Sequence, residues 1–223
     1  MSLRGLAGRL RGWARWLVRH YDAVILVKPI VGTVKPLPPG LTLEEYDRDH
    51  PDVLAINLAL GRHFPEERLR TRFERGLRFF ALRKGDRVVA TTWIIGPGER
   101  FIDEAGVGLI VESDALSQRD VFVAPAERGH GLYALMMDAV VARSPGLRKL
   151  WALVEGWNRT SLRAHRRYGY EPAYRVEVLH LAGRLMVRLR SPDREALGTV
   201  FGGRRRFVLT GQRYRRFAAE RVT

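Results

Sequence analysis

The segment Val121–Asp138, VFVAPAERGHGLYALMMD, constrains this chain more than any other. An apolar strand stops at a proline, a loop carries Arg128-Gly129-His130-Gly131, and a helical pattern starts at once. A strand–loop–helix of this kind aims several backbone N–H groups and a helix N-terminus at one spot, which makes a phosphate site. The two glycines let the main chain approach a ligand closely and take φ values that other residues resist. Arg128 either adds a charged hydrogen bond or stands solvated. Two common phosphate loops are excluded, because the chain contains neither G-x-x-x-x-G-K-[ST] nor G-x-G-x-x-G.

The pattern around this segment alternates between periods of two and of about 3.6 residues. A strand is expected at Leu41–Tyr46, helices at Pro51–Leu60 and Pro65–Arg75, and strands at Phe79–Arg83 and Arg87–Ile95 joined by the turn Lys84-Gly85-Asp86. A glycine-rich passage leads to a strand at Arg119–Val123. A helix is expected from Gly131 to Arg143, a strand at Leu150–Val154, a helix at Asn158–Tyr168, and strands at Tyr174–Leu181 and Leu185–Leu189. The order β-αα-βββ-α-β-α-ββ describes an α/β fold: a mixed, mostly antiparallel twisted sheet with helices on both faces. Trp93, Trp151 and Trp157 are read as core or pocket walls.

Charge sorts the chain into three stretches. Residues 1–40 hold seven Lys/Arg against one acid, residues 184–223 hold eleven Arg against three acids, and residues 41–183 hold 21 basic against 20 acidic side chains. We therefore expect a basic N-terminal helix and linker over 1–40, a folded domain over 41–190, and an Arg-rich tail over 191–223. Leu3, Leu6, Leu10, Trp13, Leu17 and Tyr21 fall on one helical face and Arg4, Arg11, Arg15 and Arg19 on the other. A basic amphipathic helix over residues 2–21 would lie in a membrane interface or pack its stripe on the domain. Cationic ends attract polyanions: an anionic membrane surface, an acyl carrier protein or nucleic acid. No stretch is long and apolar enough for a membrane-crossing helix. The expected location is cytoplasmic, with attachment to the inner face of the membrane as an option. The chain has no cysteine, which excludes disulfides, a thiolate nucleophile and cysteine-ligated metal. The six histidines show no paired metal-ligand spacing, so no metal is expected.

Arg128-Gly129-His130-Gly131-Leu132-Tyr133 resembles the central motif of the GNAT acetyltransferases, [QR]-x-x-G-x-[GA], which opens a helix after a strand ending in V-x-P. The match departs at its last position, where Tyr133 replaces Gly or Ala. Asn158-Arg159-Thr160-Ser161, then His165, then Gly169-Tyr170 resemble a second motif of the same family, N-x-x-[AS]-x-x-x-Y-x-x-x-G-[FY], at the expected distance. The resemblance covers about residues 41–190. It implies the acyl-CoA N-acyltransferase fold, acetyl-CoA as co-substrate, and an amine acceptor attacked directly in a ternary complex. It also implies that backbone amides of Arg128, Gly129, His130, Gly131, Leu132 and Tyr133 bind the cofactor pyrophosphate. The main chain of Phe122 and Val123 would lie along the pantetheine arm like an added strand, with Asn158 and Ser161 near it. The tyrosine that often protonates the leaving thiolate is replaced by His165. That residue either keeps the role or is only a cofactor neighbour, and Tyr168 is a further candidate.

The amine must also lose a proton, for which a carboxylate is suited. Candidates are Asp103 and Glu104 before the glycine-rich passage and Asp120 on the central strand, where alternation would put Asp120 on the face of Phe122. Glu104 is the first choice. The basic ends suggest an anionic or membrane-associated acceptor, such as a lipid- or nucleotide-linked amino sugar. A longer acyl-CoA or an acyl carrier protein is the alternative donor. Nucleic-acid binding through Gly202–Phe207 and Gln212–Phe217 would leave both motifs unexplained.

Overall fold

The computed structural model describes residues 18–32, 34, 36–47, 50, 52–102, 107–181, 184–190, 196–201 and 205–208. In chain order these form β1 (Val18–Pro29), β2 (Leu41–Tyr46), α1 (Asp52–Ala59), α2 (Glu66–Glu74), β3 (Arg78–Lys84) and β4 (Arg87–Ile95). There follow β5 (Gly98–Ile102), β6 (Val107–Val111), β7 (Ala115–Val123), α3 (Leu132–Ala142) and β8 (Lys149–Glu155). The chain goes on through α4 (Arg159–Arg167), β9 (Glu171–Leu181), β10 (Arg184–Arg190), β11 (Ala196–Phe201) and β12 (Arg205–Val208). Two compact units result: a central one of residues 28–97 and 112–152, and a terminal one of 1–27, 98–111 and 153–223.

In the central unit the strand order is β8-β7-β4-β3-β2. Only β7 and β8 run parallel, over Ala115–Gln118 against Lys149–Ala152. β3 and β4 are buried on both faces, so alternation sorts their side chains between two layers. Phe79, Ala81 and Trp93 join Tyr46, Val53, Ile56, Leu69 and Leu77 in a core beneath α1 and α2. The opposite layer is supplied by α3, which buries Met136, Met137 and Val140 and touches β2, β4 and β7. α2 starts after Pro65 with Glu66 and Glu67 in its first turn, where their charge suits the helix dipole. It stops at Gly76, whose φ of +73° lets Leu77 N–H reach back to Arg72 O at 3.0 Å. The β3–β4 turn is Gly85-Asp86, with Gly85 at φ +56°.

In the terminal unit β1 pairs antiparallel with β9, β9 with β10, and β10 with β11. A separate three-stranded sheet joins β5 and β6 antiparallel and adds β12 parallel to β6. Asp22 on β1 accepts two hydrogen bonds from Arg175 on β9, both at 2.7 Å. The turn after β8 rests on the same residue: Gly156 N–H donates to Asp22 O at 2.9 Å. A Cβ at position 156 would lie 2.1 Å from Asp22 Oδ2, so any other residue there must push aside the carboxylate that Arg175 holds.

The chain ends differ from expectation. Residues 18–21 continue into strand β1, where a helix over 2–21 was expected; residues 1–17 lie outside the described residues. The run Tyr21–Val27 is rich in β-branched and aromatic side chains, but its partner β9 lies some 150 residues on, so local periodicity does not reveal the pairing. β1 falls before the expected division at 40, and β11 and β12 fall after the one at 191. The described part of the glycine-rich passage holds the end of β5 and all of β6, and β7 begins at Ala115, four residues before the expected Arg119. Trp157, read as a core or pocket-wall residue, is 76% exposed.

Gly156→Ala should therefore destabilise the protein by roughly 2 kcal/mol through overpacking against Asp22. Urea unfolding checks this; an unchanged midpoint would mean that the Asp22 side chain moves aside freely.

Candidate active site

After Val123 the chain makes a single 3-10 turn, Pro125–Glu127, before Arg128-Gly129-His130-Gly131 leads into α3. Two anchors fix this turn to the β3–β4 hairpin. Ala124 N–H donates to Val89 O at 2.9 Å, and the Glu127 carboxylate lies 3.3 Å from Lys84 Nζ and 3.2 Å from Arg87 Nη2. Beyond the anchors, Gly129 and Gly131 both adopt left-handed conformations, at φ +87° and +75°. Gly131 is the N-cap of α3, and no side chain caps the helix. Its first-turn amides point into an exposed mouth formed by residues 128–131. Neither glycine has a neighbour where a Cβ would stand, so the requirement is conformational and not one of space. Arg128 donates from Nε to Val123 O at 3.2 Å, with its guanidinium 5.7 Å from the Phe122 ring centroid.

The departure at Tyr133 has a local explanation. Gln118 Nε2 donates to the Tyr133 hydroxyl at 2.8 Å, and Gln118 is buried on β7. The phenol is thus engaged with the strand behind the loop, and only the backbone N–H of Tyr133 belongs to the helix opening.

β7 changes character at Gln118. Its ladder with β8 covers Ala115–Gln118, whereas pairing with β4 runs on to Phe122↔Thr91 and Val123↔Ala90. Between Arg119↔Trp93 and Phe122↔Thr91 two residues, Asp120 and Val121, oppose the single Thr92. This is a β-bulge, and Asp120 sits in it at φ +50°. Simple alternation does not set the facing of residues across a bulge; Arg62, which donates to Asp120 O, also lies 5.2 Å from the Phe122 ring centroid.

Asp120 is held by arginines. Its carboxylate is hydrogen-bonded to Arg72 Nη2, with Arg119 Nε at 3.9 Å, while its carbonyl accepts from Arg62 Nη1 at 3.1 Å. Burial works to raise the Asp120 pKa, but the charges and hydrogen bond of Arg72, with Arg119 and Arg62, outweigh it and leave the carboxyl below its ordinary range. A carboxylate so stabilised is a weak base. Sequence reasoning did not single out Arg62 or Arg72, although Arg72 carried a signal: it falls between Leu69 and Phe73, on the apolar stripe of α2. A guanidinium placed there needs a buried partner.

The second motif falls on α4, in the terminal unit. Asn158 is its N-cap, accepting from Ser161 N–H at 3.1 Å, so these two motif residues hold the helix start. His165 is buried, with Nδ1 2.7 Å from Ser161 O and its ring 5.2 Å from that of Tyr170 in an edge contact. That carbonyl can only accept, so Nδ1 carries a proton and donates it there. Burial lowers the His165 pKa, with the Ser161 bond working the other way. The ring is therefore a neutral imidazole at neutral pH whose N–H is already committed. Tyr168, the C-cap of α4, is half-buried. Asp103 and Glu104 lie outside the described residues.

The depressed His165 pKa fixes a sign. The stability gained by keeping the ring neutral is fully present above the unfolded imidazole value of about 6.5 and is lost as pH falls below it. His165→Phe, which keeps an aromatic against Tyr170 but cannot titrate, should flatten the decline in stability between pH 7.5 and pH 5.5. Urea midpoints at the two pH values measure it, and an undiminished slope would assign the decline to other groups.

The geometry agrees with comparison against known proteins. The model of the Acetyltransferase (GNAT) family matches residues 43–170. Among solved structures, a Drosophila protein is similar at 17% identity and TM-score 0.50, covering 80% of this chain and 58% of its own. A conserved Staphylococcus epidermidis protein of unknown function is similar at 12% identity and TM-score 0.50, covering 82% and 69%. A GCN5-related N-acetyltransferase from Sphaerobacter thermophilus gives 21% identity, coverage of 78% and 55%, and a TM-score of 0.47, too low to weigh. Identities this low bear on fold alone, and this chain spans well under two thirds of the Drosophila protein's length. No curated protein matches the sequence. The family model covers more than half of the chain, from β2 to the second motif: this chain belongs to the GNAT acetyltransferase family.

Proposed function

We propose that the chain transfers an acetyl group from acetyl-CoA to the amine of an anionic acceptor, by direct attack in a ternary complex. The observation that carries this reading is the uncapped mouth of α3, with Gly129 and Gly131 at positive φ, directly after a strand whose outer half is paired on its β4 side. The helix amides suit a diphosphate. The main chain of Phe122 and Val123 suits an extended amide-bearing arm, which would hydrogen-bond as an added strand does. Because the Tyr133 phenol is engaged with Gln118, nothing at that position calls for an unusual donor. The acceptor is taken as anionic because arginine is in excess at both ends of the chain.

When bound, acetyl-CoA supplies an acyl carbon activated as a thioester. The amine nitrogen bonds to that carbon, the carbon–sulfur bond breaks, and one proton must leave the amine as another reaches the sulfur. Asp120 is bound up with Arg72, so Glu104 is the carboxylate we assign to the amine proton. His165 is neutral with its N–H committed to Ser161, so Tyr168 is the donor we assign to the sulfur. In this reading Asn158, Ser161 and His165 shape α4 and do not take part in proton transfer.

Two measurements test this. Gly131→Ala forces a β-carbon into a left-handed position, at a cost of roughly 1 kcal/mol, and should raise the Kd for acetyl-CoA at least tenfold in calorimetry. Unchanged affinity in a folded variant would remove the α3 mouth from the binding site. Glu104→Gln and Tyr168→Phe should each lower kcat at least tenfold at neutral pH with acetyl-CoA affinity preserved, as expected of groups that transfer protons. A variant with wild-type turnover loses its role.

A further inference from the structure

Beneath α1 and α2 the apolar core of the central unit gives way to an unusual concentration of polar groups. Arg62, Arg72 and Arg119 all bear on the one carboxylate of Asp120. Arg68 adds further positive charge, acting against both Arg62 and Arg72. The aromatics there do not offset the imbalance but favour cations: the Arg62 guanidinium lies 4.6 Å from the Phe64 centroid and 5.2 Å from that of Phe122, and Arg72 lies 5.0 Å from those of Phe64 and Trp93.

Hydrogen bonding tells the same story independently. Arg72 is 5% exposed, and its Nη1 has no hydrogen-bond partner within the protein. Nor do Trp93 Nε1 and Thr91 Oγ1, both on fully buried residues of β4 that alternation places on one face. Native interiors leave few such donors unmet, and each one costs free energy unless something else meets it. Here three occur on one side of the sheet, beside the half-buried Phe122 whose main chain the functional reading places along the cofactor arm.

We propose that Arg62 and Arg72, positioned by Asp120 and backed by Trp93 and Thr91, form a subsite for an oxyanion carried by the amine acceptor, a carboxylate or a phosphate monoester. This rests on the acetyltransferase reading and names the chemistry of its acceptor. Arg72 meets one lobe of the anion with the nitrogen that Asp120 does not use. Arg62, half-buried, lies on the solvent side and can swing from the Asp120 carbonyl to the ligand. Planar guanidiniums suit such an anion because they bind two oxygens at once.

The test uses the full-length protein and acceptor pairs matched except for the anion: an amino acid against its amide, and glucosamine 6-phosphate against glucosamine. CoA release should favour the charged member of at least one pair by tenfold or more in kcat/KM, and which pair does so separates carboxylate from phosphate. Arg62→Met should erase that preference through the acceptor KM while leaving the acetyl-CoA KM unchanged, and Arg62→Lys should restore part of it. Inorganic phosphate or acetate, titrated against tryptophan fluorescence, should bind the wild type at least tenfold more tightly than Arg62→Met. The subsite is overturned if neutral and charged members react equally in both pairs, or if the preference or the probe affinity survives Arg62→Met. It is equally overturned if neither probe binds and no pair shows a preference. Failure to take up acetyl-CoA would overturn the acetyltransferase reading instead, a result the fluorescence titration does not share.

Discussion

A strand cannot hand over directly to a helix without leaving the first helical amides unpartnered, and something must then satisfy them. In this chain nothing from the side chains does. Gly131 occupies the capping position, where serine or aspartate would ordinarily accept a hydrogen bond. Its neighbours back to Arg128 are exposed. What holds the mouth open is the surrounding construction: a 3-10 turn pinned to the β3–β4 hairpin through Glu127 and Ala124, and a helix fastened to the sheet by Met136, Met137 and Val140. The amides that open the helix are thus held on a rigid frame. That is the condition under which a phosphate gains most from them, since no reorganisation is needed on binding.

The bulge at Asp120 is the second element on which the site depends. An extra residue there shifts the facing of everything from Asp120 to Val123, after the parallel ladder with β8 has already ended at Gln118. A left-handed aspartate costs free energy, and Asp120 is held in place by Arg72, Arg62 and Arg119. Its carboxylate therefore works as a positioning group for buried arginines more readily than as a base. That reassignment moves the burden of proton transfer elsewhere and gives the α1–α2 side of the sheet a positive character suited to a negatively charged acceptor.

Much of this was legible in the sequence because it is local. Gly129 and Gly131 in front of an apolar helical pattern announce the helix mouth, and Gly85-Asp86 announces the hairpin turn. What escaped detection is non-local. β1 pairs with β9, and β12 with β6, so no window of neighbouring residues contains the information. Local alternation likewise gives no warning of a bulge, because the extra residue is defined by the partner strand. Trp157, read on its chemistry alone as core or pocket wall, stands exposed because a turn after β8 places it there. For His165 the sequence left proton donor and cofactor neighbour open, and it gave no sign that the ring lies against Tyr170 with Nδ1 on the Ser161 carbonyl.

The central claim is that the main-chain amides opening α3 receive a diphosphate. Amide-resolved NMR during titration with acetyl-CoA addresses it directly, because each backbone N–H from Arg128 to Ala134 reports separately. The account predicts large downfield shifts and slowed hydrogen exchange at Leu132, Tyr133 and Ala134, with small changes on α2. Saturating acetyl-CoA that leaves these amides unmoved would contradict it.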